Sequence, residues 1–201
     1  FRSAPIALEK AALDNMARVS SRIQRAIEQG QVIYGLTTGV GDLVTTRLSP
    51  DRMTDTQLNM LRSHACGVGP DLTVREVRAM MAVTLKSLLQ GYSGVTPALA
   101  QRIADMLNRQ VTPWSPAGGS VGYLIATAHI GLAVFGEGKC WYQGELLPAQ
   151  QALTRAGIPP YVPGPREGHA LVGGTYEITA LGCLAVADFQ RLLPVADMAG
   201  G

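Results

Sequence analysis

The stretch that decides the fold is Gly119-Ser120-Val121-Gly122, which runs directly into Tyr123-Leu124-Ile125-Ala126-Thr127-Ala128-His129. Its first half closes a segment rich in proline and glycine over residues 111–122, which predicts a loop. Its second half opens an apolar segment that continues to residue 135 and predicts a helix over residues 124–135. This segment is too short to span a bilayer. The sequence therefore places a glycine-rich loop directly before an apolar helix.

Apolar residues recur at helical spacing along most of the chain. Residues 5–29 predict a first helix, with Ser3 as its cap and one buried face that comprises Leu8, Ala12, Met16, Val19, Ile23 and Ile27. Thr73 and Glu76 fit a capping box before a helix over residues 74–90. Further helices are predicted over residues 50–64, 97–109 and 149–155, from 166 and from 175, with a hairpin over residues 141–146. The predicted fold class is mainly α with a small β-hairpin.

Composition narrows the class of protein. The chain has 201 residues, of which 47% are hydrophobic and 16% charged, and this balance is typical of a globular protein and not of a disordered one. A net charge of +2 is too small to indicate a nucleic-acid partner. The three cysteines form no CxxC pair, which gives no support to a metal site. Their odd number, without a secretory signal, favours the cytoplasm.

Four other stretches have the same glycine-rich or polar character: Tyr34-Gly35-Leu36-Thr37-Thr38-Gly39-Val40-Gly41, Leu61-Arg62-Ser63-His64-Ala65-Cys66-Gly67-Val68-Gly69, Lys86-Ser87-Leu88-Leu89-Gln90-Gly91-Tyr92-Ser93-Gly94-Val95 and Glu167-Gly168-His169-Ala170-Leu171-Val172-Gly173-Gly174-Thr175. With the first stretch they resemble the histidine and aromatic amino-acid ammonia-lyase family. The resemblance implies a helical, L-aspartase-like fold and covers essentially the whole chain. It implies an amino-terminal lyase domain over residues 1–174 and the start of a central helical bundle over residues 175–201, as in the amino-terminal part of such an enzyme.

The resemblance also points to a missing electrophile. In this family Gly-Ser-Val-Gly is followed by Ala-Ser-Gly, which cyclises and loses water to give methylidene-imidazolone (MIO). Here no such tripeptide is printed between Gly122 and Tyr123, which would flank the MIO. Either the tripeptide is one modified residue that the one-letter code omits, or it is deleted. A random deletion would rarely coincide with the self-processing triad, so we predict an MIO between these two residues and no external cofactor.

Several site residues follow from the same resemblance. Tyr34 matches the family's catalytic base, and glycines such as Gly41 permit close approach of the backbone to a substrate. A tyrosine that acts as a base near neutral pH needs positive charge or hydrogen bonds that favour the phenolate. Ser63 and His64 resemble the pair of the histidine-specific branch. The resemblance thus implies that His64 contacts the substrate ring, since one imidazole can hydrogen-bond another.

Three residues depart from the family pattern around the missing tripeptide. Tyr123 stands where the family has Asp, His169 where it has Leu, and Gly173 where it has Asn beside the electrophile. Positions 169 and 173 are four residues apart and share one face of a helix. Either His169 partly replaces the lost amide, or the site has drifted and the usual reaction is impaired. His129 matches the family too, and we expect it to satisfy buried backbone groups.

The resemblance implies an ammonia-lyase that eliminates ammonia from histidine or a related amino acid, with Tyr34 removing a β-proton. A 2,3-aminomutase is a close variant that returns ammonia to the β-carbon. If the tripeptide is deleted, a non-catalytic homologue is the alternative. The implied partners are a small amino-acid substrate and three further copies in a homotetramer, with no nucleic acid and no membrane. Because the other subunits and carboxy-terminal residues complete the family's site, we expect the isolated chain to be inactive.

The mass of the intact protein tests the predicted MIO. A processed tripeptide adds the mass of an alanine, a serine and a glycine residue, less two waters, to the mass calculated from the printed sequence. A deletion adds nothing. A measured mass equal to that of the printed sequence would exclude the electrophile.

Overall fold

The computed structural model of the chain describes residues 4–40, 45–46, 52–119 and 122–201. Within these residues the fold is mainly helical, which confirms the predicted class. The helices are α1 (Lys10–Glu28), α2 (Met53–His64), α3 (Val74–Leu88), α4 (Pro97–Asn108), α5 (Ile125–Val134), α6 (Ala149–Arg155), α7 (Glu167–Val172) and α8 (Tyr176–Gly200). The strands are β1 (Val68–Asp71), β2 (Thr112–Pro113), β3 (Pro116–Gly118), β4 (Lys139–Tyr142) and β5 (Glu145–Pro148).

The strands form two small antiparallel sheets. β4 and β5 form the predicted hairpin, and its turn residues Gln143 and Gly144 both have positive φ, at 53° and 84°. β2 adds to the other edge of β4, and β1 pairs separately with β3. Neither β2 nor the β1–β3 pair was predicted, because these strands are short and rich in proline and glycine, which are depleted in strands.

The first helix begins later than its apolar spacing predicts. α1 starts at Lys10, not at residue 5, because a contact with α4 holds the preceding segment extended. The Ile6 N–H donates to Asn108 Oδ1 at 2.8 Å, and Asn108 Nδ2 donates to the Ile6 carbonyl at 2.9 Å. The predicted inward face is correct, although in α1 itself only Met16 is fully buried. The prediction of Ser3 as the cap was therefore wrong, because the N-cap position of α1 is Glu9.

The core forms around α5, which is apolar on all sides. Most of its side chains are buried, as expected for a helix that is surrounded by other elements. α3 and α4 supply the largest buried side chains, which include Met80, Met81, Leu88, Leu99, Ile103 and Met106. The capping box at the start of α3 is confirmed, since Thr73 and Glu76 exchange side-chain-to-backbone hydrogen bonds. The position of α5 fixes the junction that precedes it.

Two glycines let α2 approach its neighbours closely. A Cβ on Gly168 of α7 would lie only 2.3 Å from the carbonyl oxygen of Gln57 in α2. A Cβ on Gly131 of α5 would lie 2.6 Å from the Cδ2 atom of Leu61, also in α2. Helices α5 and α7 therefore both pack against α2 at close range.

The last helix leaves the core along its length. Its first half packs on α3, where Arg75 forms a bidentate pair with Asp188 at 2.5 and 2.7 Å. Its second half continues through Pro194 with most side chains exposed. Among the described residues, the stretch Glu167–Gly200 is long and apolar enough to cross a membrane, by length and composition only. Of its most apolar part, 28% is buried within the fold. The predicted domain boundary after residue 174 stays a prediction.

Alanine substitutions at two helical glycines test the close packing of α7 on α2. Gly168→Ala places a methyl group against the Gln57 backbone, which cannot rotate away, and we expect a loss of about 1–3 kcal/mol in the free energy of unfolding. Gly182→Ala is the matched control, because a Cβ there meets nothing within 4 Å, and it should stabilise by about 0.5–1 kcal/mol. Urea unfolding of both variants measures the difference, and equal midpoints would contradict the contact.

Candidate functional site

Tyr34 lies in the loop between α1 and α2, where its ring makes an edge-type contact with the ring of His169. The two ring centroids are 6.2 Å apart, with an angle of 68° between the ring planes. Thr37 fixes the loop, since its Oγ1 accepts the Ile33 N–H and donates to the Gln31 carbonyl, both at 2.8 Å. Tyr34 is 51% exposed, so its phenol ring is accessible to a small molecule.

His169 and Gly173 share one face of α7, as their spacing predicts. The Gly173 N–H donates to the His169 carbonyl at 2.9 Å across this turn. A Cβ on Gly173 would lie 3.8 Å from Nε2 of His169 and 3.5 Å from Cδ2. The imidazole thus lies beside the space that a side chain at position 173 would enter.

The junction at Gly122 lies beside the connection from α7 to α8. The Gly122 carbonyl accepts the N–H of Ile178, in the first turn of α8, at 3.2 Å. Such first-turn N–H groups have no partner within their own helix and carry partial positive charge. Ile178 follows Gly173 by five residues, so the junction contacts the chain shortly after the end of α7.

A strained turn closes the junction before α5. The Ile125 N–H donates to the Tyr123 carbonyl at 3.1 Å, and Leu124 between them has φ 74° and ψ −59°. These values define a γ-turn with positive φ, a rare conformation that a bulky residue adopts only under strain. Strain of this kind concentrates at functional sites. It occurs here where the family would hold its tripeptide.

Ser63 and His64 lie at the carboxyl end of α2. His64 Nδ1 is 2.8 Å from the Met60 carbonyl, which can only accept, so Nδ1 carries the proton. Ser63 Oγ donates to the same carbonyl at 2.9 Å. A neutral His64 ring therefore presents Nε2 as a hydrogen-bond acceptor. Two helical turns, about 10 Å along the axis, separate His64 from Gln57, which contacts α7.

Two further predicted residues have different outcomes. His129 has the expected structural role, because its Nε2 accepts the Gly67 N–H at 3.2 Å and its ring meets the Trp114 ring edge-on at 5.7 Å. Burial lowers the pKa of His129, which keeps the ring neutral. Gly41 lies outside the described residues, so its predicted contact with substrate stays a prediction.

The sequence analysis missed Gln57, which holds α7 in place. This fully buried side chain accepts the His169 N–H on Oε1 at 3.0 Å. It thereby satisfies an N–H in the first turn of α7 that has no partner within the helix. A signal was present, because Gln57 is a polar residue on the buried face of α2, between Met53 and Met60.

Glu167, also missed, is fully buried at the start of α7 and anchors it on the other side. Its carboxyl group accepts hydrogen bonds from Thr96 Oγ1 at 2.7 Å, from the Gly164 N–H at 2.7 Å and from Tyr161 Oη at 3.0 Å. Burial, followed by the neighbouring Glu167 charge, raises the pKa of Tyr161, which stays a hydrogen-bond donor. The proline-rich segment before α7 and the start of α4 thus both donate hydrogen bonds to the Glu167 carboxyl group.

Comparison with known proteins identifies the family to which this fold belongs. The family model for aromatic amino acid lyases matches residues 1–201. A histidine ammonia-lyase of Alkaliphilus metalliredigens is 38% identical over 198 residues, which are 97% of this chain and 39% of the relative. Among solved structures, the Pantoea agglomerans phenylalanine aminomutase has a TM-score of 0.92 at 30% identity, over 96% of this chain and 38% of that one.

A second solved structure is the ergothioneine-degrading enzyme ergothionase of Treponema denticola, with a TM-score of 0.88 at 26% identity over 92% of this chain and 38% of that one. The chain thus spans about two fifths of the length of these relatives. The helical fold and the comparisons place the chain in the class of proteins that includes ammonia-lyases and aminomutases. The chain belongs to the aromatic amino acid lyase family.

Removal of one acceptor from the buried carboxylate should destabilise the chain. Glu167→Gln turns an amide NH₂ towards donors that need an acceptor, and we expect a loss of about 1–3 kcal/mol in the free energy of unfolding. Glu145→Gln is the matched control, since Glu145 forms an exposed pair with Arg155 and should lose less than about 1 kcal/mol. Denaturant unfolding of the two variants compares them, and equal losses would refute the anchoring role of Glu167.

Proposed function

We propose that the protein containing this chain is a carbon–nitrogen lyase that eliminates an amine from histidine or a related imidazole amino acid. The observation that carries this proposal is that two of the glycine-rich stretches contact consecutive helices. The Tyr34 loop contacts α7 through His169, and the Gly122 junction contacts the first turn of α8. In this proposal a substrate lies between these elements and meets Tyr34, His169 and the junction.

In this proposal Tyr34 removes a proton from the β-carbon while the α-carbon loses its nitrogen. The electrons of the C–H bond form the double bond of an unsaturated acid, and those of the C–N bond leave with the amine. The N–H groups at the start of α8 supply positive potential close to the reacting centre. Gly173 has no side chain, and the imidazole of His169 lies beside it. In this proposal that imidazole contacts the substrate instead of a side chain at position 173.

The substrate ring is proposed to lie towards the end of α2. His64 presents Nε2 as an acceptor when its ring is neutral, because Nδ1 donates to the Met60 carbonyl. The N–H of an imidazole substrate can donate to such an acceptor, whereas a phenyl ring cannot. This chemistry, with Ser63 beside it, favours an imidazole over a phenyl substrate.

The first route for the nitrogen uses an MIO formed from Ala-Ser-Gly between Gly122 and Tyr123. The strained turn at Leu124 supports this route, since three further residues at the junction would relieve it. When bound, the electrophile would take up the substrate amine and make it a better leaving group. Gly122 and Tyr123 would hold it beside α8, whose Ile178 N–H fixes the Gly122 carbonyl.

The second route needs no electrophile and acts on a quaternary nitrogen. A trimethylammonium group has no lone pair to add to an MIO, and it leaves as a neutral amine. The printed sequence joins Gly122 directly to Tyr123, and both their carbonyls are hydrogen-bonded, which favours this route. The likeness to ergothionase also supports it, because ergothioneine is the trimethylammonium betaine of a thiohistidine.

Two further properties of the whole protein are proposals as well. An aminomutase would return ammonia to the β-carbon, and the likeness to a phenylalanine aminomutase keeps this variant open. A homotetramer would cover exposed apolar side chains in the second half of α8, which include Val186, Phe189, Leu192, Leu193, Val195 and Met198. If neither route operates, the chain belongs to a non-catalytic homologue.

Turnover by the full-length protein tests the function. Histidine, phenylalanine and ergothioneine are supplied separately, and the unsaturated acid, β-amino acid and released amine are quantified. Release from histidine together with the added mass supports the MIO route, whereas release from ergothioneine at the printed mass supports the second.

Tyr34→Phe should lower kcat about 10²–10⁴-fold in either case. Tyr92→Phe, at a 91% exposed position, is the matched control. No product from any substrate would refute the lyase function, and an unchanged Tyr34→Phe variant would remove Tyr34 from the mechanism.

A further inference from the structure

The imidazole of His169 lies between two glycines. A Cβ on Gly35 would lie 2.5 Å from Nδ1 of His169 and 2.6 Å from Cε1, so no larger residue fits there. A Cβ on Gly173 would face the opposite edge, 3.5 Å from Cδ2 and 3.8 Å from Nε2. The Nδ1 edge is therefore enclosed by the Tyr34 loop, while the Nε2 edge faces the exposed side of α7.

Two contacts fix the orientation of this ring, one at the His169 backbone and one at the imidazole itself. The His169 N–H is held by Oε1 of the fully buried Gln57. Gly35 has a φ of 64°, a left-handed conformation that brings the loop backbone against the ring without a side chain. The edge of Tyr34, the residue before Gly35, then meets the imidazole. Phenol and imidazole are consequently held as neighbours before any substrate binds.

The protonation of His169 suits an acceptor. Burial lowers the pKa of His169, the positive charge of Arg166 at the start of α7 lowers it further, and the Gly35 backbone partly opposes these effects. The ring is therefore neutral near pH 7. Among the residues that the structure describes, Tyr34 and Arg166 are the titratable or charged groups that act on it, and α2 presents the neutral amide of Gln57.

The two nitrogens of the His169 ring differ in access. Nδ1 is buried against the Gly35 backbone and has no hydrogen-bond partner among the described residues. Nε2 lies on the edge that faces the open side of Gly173. Nε2 is therefore the ring nitrogen that another group can reach.

We propose that His169 is the proton acceptor for the phenol of Tyr34. As the Tyr34 oxygen takes the proton from the β-carbon, the phenolic O–H bond breaks and its proton passes to Nε2. The electrons of the C–H bond form the double bond, and those of the C–N bond leave with the amine. The resulting imidazolium returns its proton to solvent. This inference rests on the proposed elimination and explains how a neutral phenol can act as a base.

A pH profile of the full-length protein separates this role from a structural one. The wild-type rate should rise with pH along a limb below about 6.5, where the imidazole loses its proton. In His169→Asn the rate at neutral pH should fall at least about 100-fold, and the limb of the imidazole should disappear. His64→Asn is the matched histidine control, and it should raise KM without moving the limb.

The double variant Tyr34→Phe/His169→Asn should be no slower than Tyr34→Phe, because the two residues act on one proton. The proposal would be overturned if the losses of the two variants were additive, or if the pH profile of His169→Asn kept the limb of the wild type.

A measurement without turnover distinguishes failure of this proposal from failure of the proposed function. In ¹⁵N-histidine NMR of the resting protein, Nε2 of His169 should be unprotonated at pH 7 and should shift in Tyr34→Phe but not in Tyr92→Phe. A protonated or unresponsive Nε2 would overturn it as well, even in a protein that turns nothing over.

Discussion

The arrangement of the site depends on the backbone contact between α7 and α2. A helix of six residues is too short to be stable alone, so the direction of α7 is set by what it packs against. Gly168 allows its backbone to lie directly on the Gln57 carbonyl, and the next residue donates its N–H to the Gln57 side chain. These two contacts fix the residue that carries the imidazole. The Tyr34 loop then meets a ring whose position is already determined by α2.

The buried carboxylate of Glu167 completes this support from the opposite side. Its hydrogen bonds come from the start of α4 and from the proline-rich segment that leads into α7. A buried charge is tolerated only where its oxygens are satisfied, and here several donors meet it. α7 is therefore anchored at its first three residues, while Gly173, directly after its last turn, is exposed. Rigid support at one end and access at the other suit a helix that presents side chains to a ligand.

Local patterns in the sequence predicted the parts of the structure that depend on neighbouring residues. The bounds of α6, the β4–β5 hairpin and the shared face of His169 and Gly173 all follow from short-range spacing. The start of α1 was wrong because Asn108, a hundred residues away, holds Ile6 in an extended segment. The close approach of Gly35 to His169 and the hydrogen bonds of Gln57 also join distant parts of the chain. Single-sequence patterns carry no signal for such pairings beyond a polar residue on an apolar face.

The strained turn at Leu124 is held in place by its surroundings. α5 is buried on all sides, so its first turn cannot unwind without exposing apolar surface. On the other side, the Gly122 carbonyl is bound to the first turn of α8, which limits how far the loop can retreat. The turn therefore bridges two fixed points, and its length determines its strain. Where local rules fail in a well-packed protein, a functional site is the usual reason. Tyr123, one of the predicted departures from the family pattern, forms part of this turn, since its carbonyl accepts the Ile125 N–H. Any change in the length of the junction must therefore be absorbed between α5 and α8, because neither helix can move without loss of its contacts.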